Sequence, residues 1–378
     1  MRRQASWPWL LAATGLVLVA SPARAAGPAE VATIDRHLWP ESLSSRHAFD
    51  RASRAEILIF TYELGLAAAE SGGRSEGERR WVDQMHALLV ENFRQARTSC
   101  DQAKELACEG RDASFQDLAA RARQFVAHPP ADLAAWLLAA RDFHRVYAAE
   151  QLRLASLFPK TTSEILTFDE TEQNGTLLPD VNFLLSFDDG PSAPGGYTDA
   201  TLRTLRELGA SGVFFALGKS LEGRRKLDGD DALRALYAGQ CLASHGFAHG
   251  SHAKIPDWRT SIETTRDLVR AIAKSAPTAT VLFRPPYGQR TKEIASWASA
   301  ARSPVVLWNI DSQDWNAKMP ATAVPDRMLT LMALWRRGIL LFHDTHAKAA
   351  HALPELVRTA RAAGLTFLDC HTFAKERP

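Results

Sequence analysis

The chain has 378 residues, with 45 basic against 43 acidic side chains and an ordinary apolar share of 46%. That length is enough for two domains with sizeable cores. The near balance of charge, with no polybasic tail or basic repeat, excludes the usual electrostatic footprint of a nucleic-acid binder.

Arg2 and Arg3 precede an apolar run from Trp7 to Ala20, and Ala23-Arg24-Ala25 follows as a small-x-small sequence. This predicts a secretory signal peptide over residues 1–25 and an exported protein, periplasmic or extracellular. An uncleaved anchor is the alternative, but a bilayer span takes about 20 apolar residues. Cleavage would remove three arginines and leave 42 basic against 43 acidic groups, with no stable membrane span. Export permits disulfides. Of the four cysteines, Cys100 and Cys108 are the expected bridge because they close a short local loop. Cys241 and Cys370 fall in expected strands and read as buried free thiols.

Residues 26–162 read as an all-α domain, with helices expected over 45–70, 77–107, 114–127 and 131–157. Trp81, Met85, Leu88, Leu89 and Phe93 recur at three- and four-residue steps, the period of a helix face. His86, His128 and His144 are scattered and read as surface or core histidines. The segment is either a bundle packed on the next domain or a module that guides substrate or a partner.

From residue 163 to 378 the texture changes. Short apolar runs (183–187, 213–217, 241–244, 281–283, 305–308, 339–342 and 366–368) alternate with helical stretches. Such alternation predicts a parallel sheet with helical crossovers. The fold class is therefore α/β, and a closed or nearly closed barrel of seven or eight strands fits better than an open doubly wound sheet. The expectation is a distorted (β/α)7-type barrel preceded by the helical domain. No glycine-rich dinucleotide fingerprint follows the first run.

Five polar motifs follow these runs: Ser186-Phe187-Asp188-Asp189-Gly190-Pro191, His245-Gly246-Phe247-Ala248-His249, Arg284-Pro285-Pro286-Tyr287-Gly288, Asp311-Ser312-Gln313-Asp314-Trp315 and Leu341-Phe342-His343-Asp344. In a parallel barrel all strand C-termini open on one face, so these motifs converge. A helical turn at 245–249 would put both imidazoles on one side. Two imidazoles and a carboxylate suit Zn²⁺ or a neighbouring divalent ion.

In order and wording the motifs resemble the polysaccharide deacetylases of carbohydrate esterase family 4, the NodB-homology domain, over roughly residues 165–375. The resemblance implies one divalent cation, zinc first with Co, Ni or Mn as substitutes, on Asp189, His245 and His249. It implies Asp188 as general base for the attacking water and Arg284 as the group that orients it. The Tyr287 N–H would face the developing oxyanion, and His343, kept protonated by Asp314, would be the general acid. Asp311 ranks behind Asp314 as the partner of His343. Leu341 and Trp315 would line the acetyl pocket. The implied activity is deacetylation of an N-acetylated glycan, whether peptidoglycan, chitin-like chain or exopolysaccharide. An O-acetyl esterase or another amide hydrolase is the alternative. A sugar-binding protein without turnover is disfavoured because Asp188 and His343 are both kept.

Two departures stand out. The family has Ser or Thr where this chain has Gly246, and His252 is an extra histidine. His252 could replace the lost hydrogen bond, perturb the metal site or do nothing, and the last is the expectation. Trp258 could stack on sugar or simply pack.

Overall fold

Asn182–Asp188 (β1) is the hub of a parallel sheet, flanked by Gly212–Ala216 (β2) and Gly338–His343 (β5). The computed structural model describes residues 27–70, 75–101, 105–109 and 114–375. The expected signal peptide lies outside them. Cys241–Ser244 (β3) extends the sheet beyond β2, and Ile310–Asp311 (β4) extends it beyond β5. Single parallel bridges from Ser244 to Phe283 and from Phe283 to Val305 continue the path. The chain then runs from Val305 into β4, so the path returns to β5 and the barrel closes. Thr366–Phe367 (β6) pairs with the start of β1 only. The expected strands at 281–283 and 305–308 are thus present as extended segments held by isolated bridges only, which is the distortion.

Near-continuous apolar strands are buried on both faces: Phe183, Leu184, Leu185 and Phe187 of β1 are fully buried. Each contributes roughly 1.5–3 kcal/mol by leaving water. Helical crossovers cover the outside, among them Tyr197–Glu207 (α5), Gly218–Asp228 (α6), Asp230–Leu236 (α7), Trp258–Ala273 (α8), Lys292–Ala300 (α9), Ala323–Trp335 (α10) and Ala347–Ala362 (α11). A last helix, Cys370–Lys375 (α12), follows β6.

The N-terminal segment folds as Arg46–Glu70 (α1), Glu76–Ala96 (α2), Phe115–Ala127 (α3) and Ala134–Leu157 (α4). The expected 77–107 helix stops at Ala96, before the loop that the Cys100–Cys108 disulfide closes. This segment packs on α10, and one apolar core runs through both. Polar bonds stitch the same seam. The Asn92 amide donates to the carbonyls of Leu334 and Trp335 (3.3 and 3.1 Å), groups that the end of α10 leaves open. Arg336, fully buried in a left-handed C-cap, pairs with Asp50 at 2.8 Å. His144 bonds Glu56 in the core and His86 stacks on Phe115, so both are structural.

Cys241 and Cys370 are bonded to each other, contrary to the expectation of free thiols. Cys370 does not continue a strand. It opens α12, which lies against β3 and brings the two sulfurs together.

Candidate active site

The parallel register sets Asp188 beside His343 and, on the other side, beside Phe215. His245 follows the end of β3, its N–H bonded to the Ala216 carbonyl, and the Arg284 N–H donates to Ser244. Successive strand ends therefore deliver the site residues to one rim. The resulting cavity, about 330 Å³, is lined by Asp188, Asp189, His245, His249, Tyr287 and His343, together with Leu341 and Trp315.

Asp189, His245 and His249 each offer a ligand atom, all within 4.8 Å of one another. His245 Nε2 and His249 Nε2 lie 3.4 and 3.3 Å from Asp189 Oδ1. That oxygen is buried with no hydrogen-bond partner. His245 Nδ1 donates to the Arg284 carbonyl at 2.7 Å, which leaves Nε2 with its lone pair free. Burial pushes His245 down to about 3, so the ring is neutral, the form a cation needs. The residues present thus fit a divalent ion. The helical turn expected at 245–249 does not form. The segment is a loop through Gly246 at φ 77°, and the two rings face across 5.5 Å.

Asp189 is itself left-handed, with φ 82°. Such a backbone costs about 1–3 kcal/mol in a non-glycine residue and needs its surroundings to hold it. Here the Asp189 N–H donates to Phe215 and the Gly190 N–H to Asp344 Oδ1 at 3.0 Å. Asp344 had no assigned role, although the fifth motif includes it. Burial pushes its carboxyl up to about 7.

Asp188 is buried, and Arg284 Nη1 donates to its Oδ1 at 2.8 Å. Burial raises its pKa, while the guanidinium works in the opposite direction. The rest of Arg284 is spent on Ser186 Oγ, Val306 O and Leu307 O, with Phe215 under the guanidinium at 4.0 Å. Arg284 therefore fixes the carboxylate through its side chain and the His245 tautomer through its carbonyl. Ser186 is a second residue missed as a contributor, though it opens the first motif.

Asp314 is fully buried and bonds both His343 Nδ1 (2.8 Å) and the His343 N–H (2.9 Å). Burial alone would lower the imidazolium pKa. The charge and hydrogen bond of Asp314 outweigh it and, helped by Asp189 and Asp188, hold it up at about 10. Asp311 instead accepts from Gln313, in line with its lower rank. Tyr287 is left-handed (φ 60°), half-exposed, and its ring stands edge-on to His249 at 4.5 Å.

His252 proves to be structural rather than idle. It is fully buried and bonds Ser261 Oγ at 3.1 Å, and the same hydroxyl accepts the Phe247 N–H at 2.8 Å. It thereby supplies the loop support that a hydroxyl at position 246 would give. A Cβ on Gly246 would collide with the His252 ring, besides the unfavourable φ. Gly246→Ser is therefore expected to destabilise the fold by about 1–3 kcal/mol, read from denaturant melts. A serine variant as stable as the parent would refute this account. Trp258 packs edge-on against Trp297 at 5.2 Å, the packing role.

Residues 178–306 match the family model described as polysaccharide deacetylase. A peptidoglycan-N-acetylmuramic acid deacetylase of Bacillus subtilis is 28% identical over 176 residues, covering 46% of this chain and 34% of the relative. A peptidoglycan-N-acetylglucosamine deacetylase of Bacillus cereus is 29% identical over 190 residues, 49% of this chain and 65% of the relative. A bifunctional xylanase/xylan deacetylase of Cellvibrio japonicus is 27% identical over 183 residues, 48% of this chain and 26% of the relative. The chain thus spans less than two thirds of these relatives. None of these alignments takes in the whole chain. Residues 178–306, which carry the first three motifs, are thus similar to the polysaccharide deacetylase family, and the likeness to named deacetylases extends over about half of the chain.

Proposed function

We propose that this chain is an exported, metal-dependent hydrolase that removes acetyl groups from an N-acetylated glycan. One observation carries the reading: a three-ligand cluster, an arginine-held carboxylate and an aspartate-held imidazolium share one cavity. A divalent cation on Asp189, His245 and His249, zinc by the ligand set, would supply Lewis acidity and lower the pKa of water. Asp188 takes the proton of the attacking water, and Arg284 holds its carboxylate in place. The Tyr287 N–H steadies the oxyanion. His343 protonates the leaving nitrogen, so the C–N bond breaks to give a free amine and acetate. Leu341 and Trp315 enclose the acetyl methyl. Two relatives named for peptidoglycan deacetylation support an amide substrate. The relative named for xylan deacetylation keeps an O-acetyl ester as the second reading.

Acetate release should be measured on peptidoglycan, chitooligomers, β-linked poly-N-acetylglucosamine and acetyl-xylan. We expect turnover on at least one N-acetylated polymer, loss with EDTA and recovery with Zn²⁺ or Co²⁺. Turnover in a verified metal-free sample, or none on any N-acetylated polymer, would reject the proposal.

A further inference from the structure

The cavity wall continues from the fourth motif onto α2, α4 and the 161–165 segment. It carries Asp311 and Gln313 of that motif, Trp308 just before it, and Glu164. Asp311 accepts from both the Gln313 N–H (2.7 Å) and Gln313 Nε2 (2.9 Å), which fixes how the amide is turned. Gln313 is 7% exposed, and its Oε1 is buried without a partner in the protein. Trp308 Nε1, a donor, is likewise buried and unpartnered. The nearby Arg327 spends its guanidinium on two backbone carbonyls, those of Asp311 and Ala32, both at 2.8 Å. Among the described residues neither Glu164 nor Asp311 forms a side-chain salt bridge, although the Arg327 charge works against the burial that raises Asp311. Burial first and the charge of Asp311 second push the Glu164 carboxyl up to about 8, so ionising it near neutral pH calls for a cation beside it.

We propose that Glu164, Asp311 and Gln313 form a subsite for a primary ammonium group carried by the glycan substrate beside the sugar being deacetylated. Three acceptors match the three N–H donors of an ammonium. Desolvated carboxylates gain most from a cation that arrives with the ligand. Trp308 Nε1 then donates to a neighbouring hydroxyl, an arrangement that a 2-amino-2-deoxy sugar provides in adjacent positions. The subsite rests on the deacetylase reading and deepens it: the enzyme favours chains that already carry free amines. The amine can belong to a deacetylated hexosamine unit or to a peptide attached to the glycan.

The test compares KM for a fully acetylated chitotriose, a trimer with one glucosamine next to an acetylated unit, and muropeptides with the peptide amine free or acetylated. A KM about tenfold lower for the free-amine form of either pair supports the subsite and identifies the source of the amine. Glu164→Gln should bring that ratio close to one. Equal KM values across both pairs, or a ratio that Glu164→Gln leaves intact, would overturn it. If no acetate is released from any compound, the deacetylase reading fails rather than the subsite. Calorimetric binding of the glucosamine trimer to parent and Glu164→Gln protein then decides the subsite, weaker binding by the variant supporting it and equal binding rejecting it.

Discussion

Asp188→Asn is expected to lower kcat by about 10²–10⁴-fold, the usual worth of a positioned general base, while one divalent cation still binds. The separation follows from geometry. The three ligand atoms belong to Asp189, His245 and His249, and none of them changes. The amide oxygen can still accept from Arg284 Nη1, as Asp188 Oδ1 does at 2.8 Å, so the ring of contacts survives. What disappears is a group able to take a proton. The substitution also leaves a buried guanidinium without its anion, a change that costs about 3–5 kcal/mol when one partner of a buried pair is removed. Melting curves must therefore accompany the kinetics, so that a folded variant is being assayed. Asp189→Ala should behave oppositely and lose the metal itself, read by atomic absorption after dialysis. An Asp188→Asn enzyme that turns over at the parent rate would disprove the assignment of the base.

The barrel and the site's members were legible because strand ends are marked twice, by apolar runs and by the polar motifs that follow them. The division of Asp188 and Asp189 into base and ligand came from the family likeness, and the orphaned Asp189 oxygen agrees with it. Three things were not legible. The Cys241–Cys370 bond depends on α12 folding back on β3, a contact between positions 129 residues apart. The exchange of a hydroxyl at 246 for His252 needs the Ser261 contact from α8, which no local pattern announces. The shared core of α1–α4 with α10 is a tertiary fact, since an apolar stripe records that a face is buried and not against what. That same packing carries Tyr147 and Glu150 of α4 to the cavity lining.

Asp314→Asn should move the alkaline limb of the kcat profile to lower pH. In the proposed mechanism His343 has to carry a proton to the leaving nitrogen, so activity falls as pH rises through its pKa. Burial opposes the imidazolium, and the charge and hydrogen bond of Asp314 overcome it to reach about 10. A folded pKa above the ordinary value of about 6.5 means the protonated pair's stabilisation is complete below that pH and is lost as pH climbs to the folded value. Asparagine retains a hydrogen bond to the ring but not the charge. The ratio of variant to parent kcat is therefore expected to fall steadily between about pH 6 and about pH 9, and the loss should approach the 10²–10⁴-fold worth of a general acid at the upper end. A cation on Asp189 offsets that carboxylate's share of the field, which leaves the 2.8 Å bond from Asp314 as the main source of the shift in the loaded enzyme. A limb that stays in place in Asp314→Asn would mean that the proton on His343 is governed from elsewhere, or that His343 is not the acid.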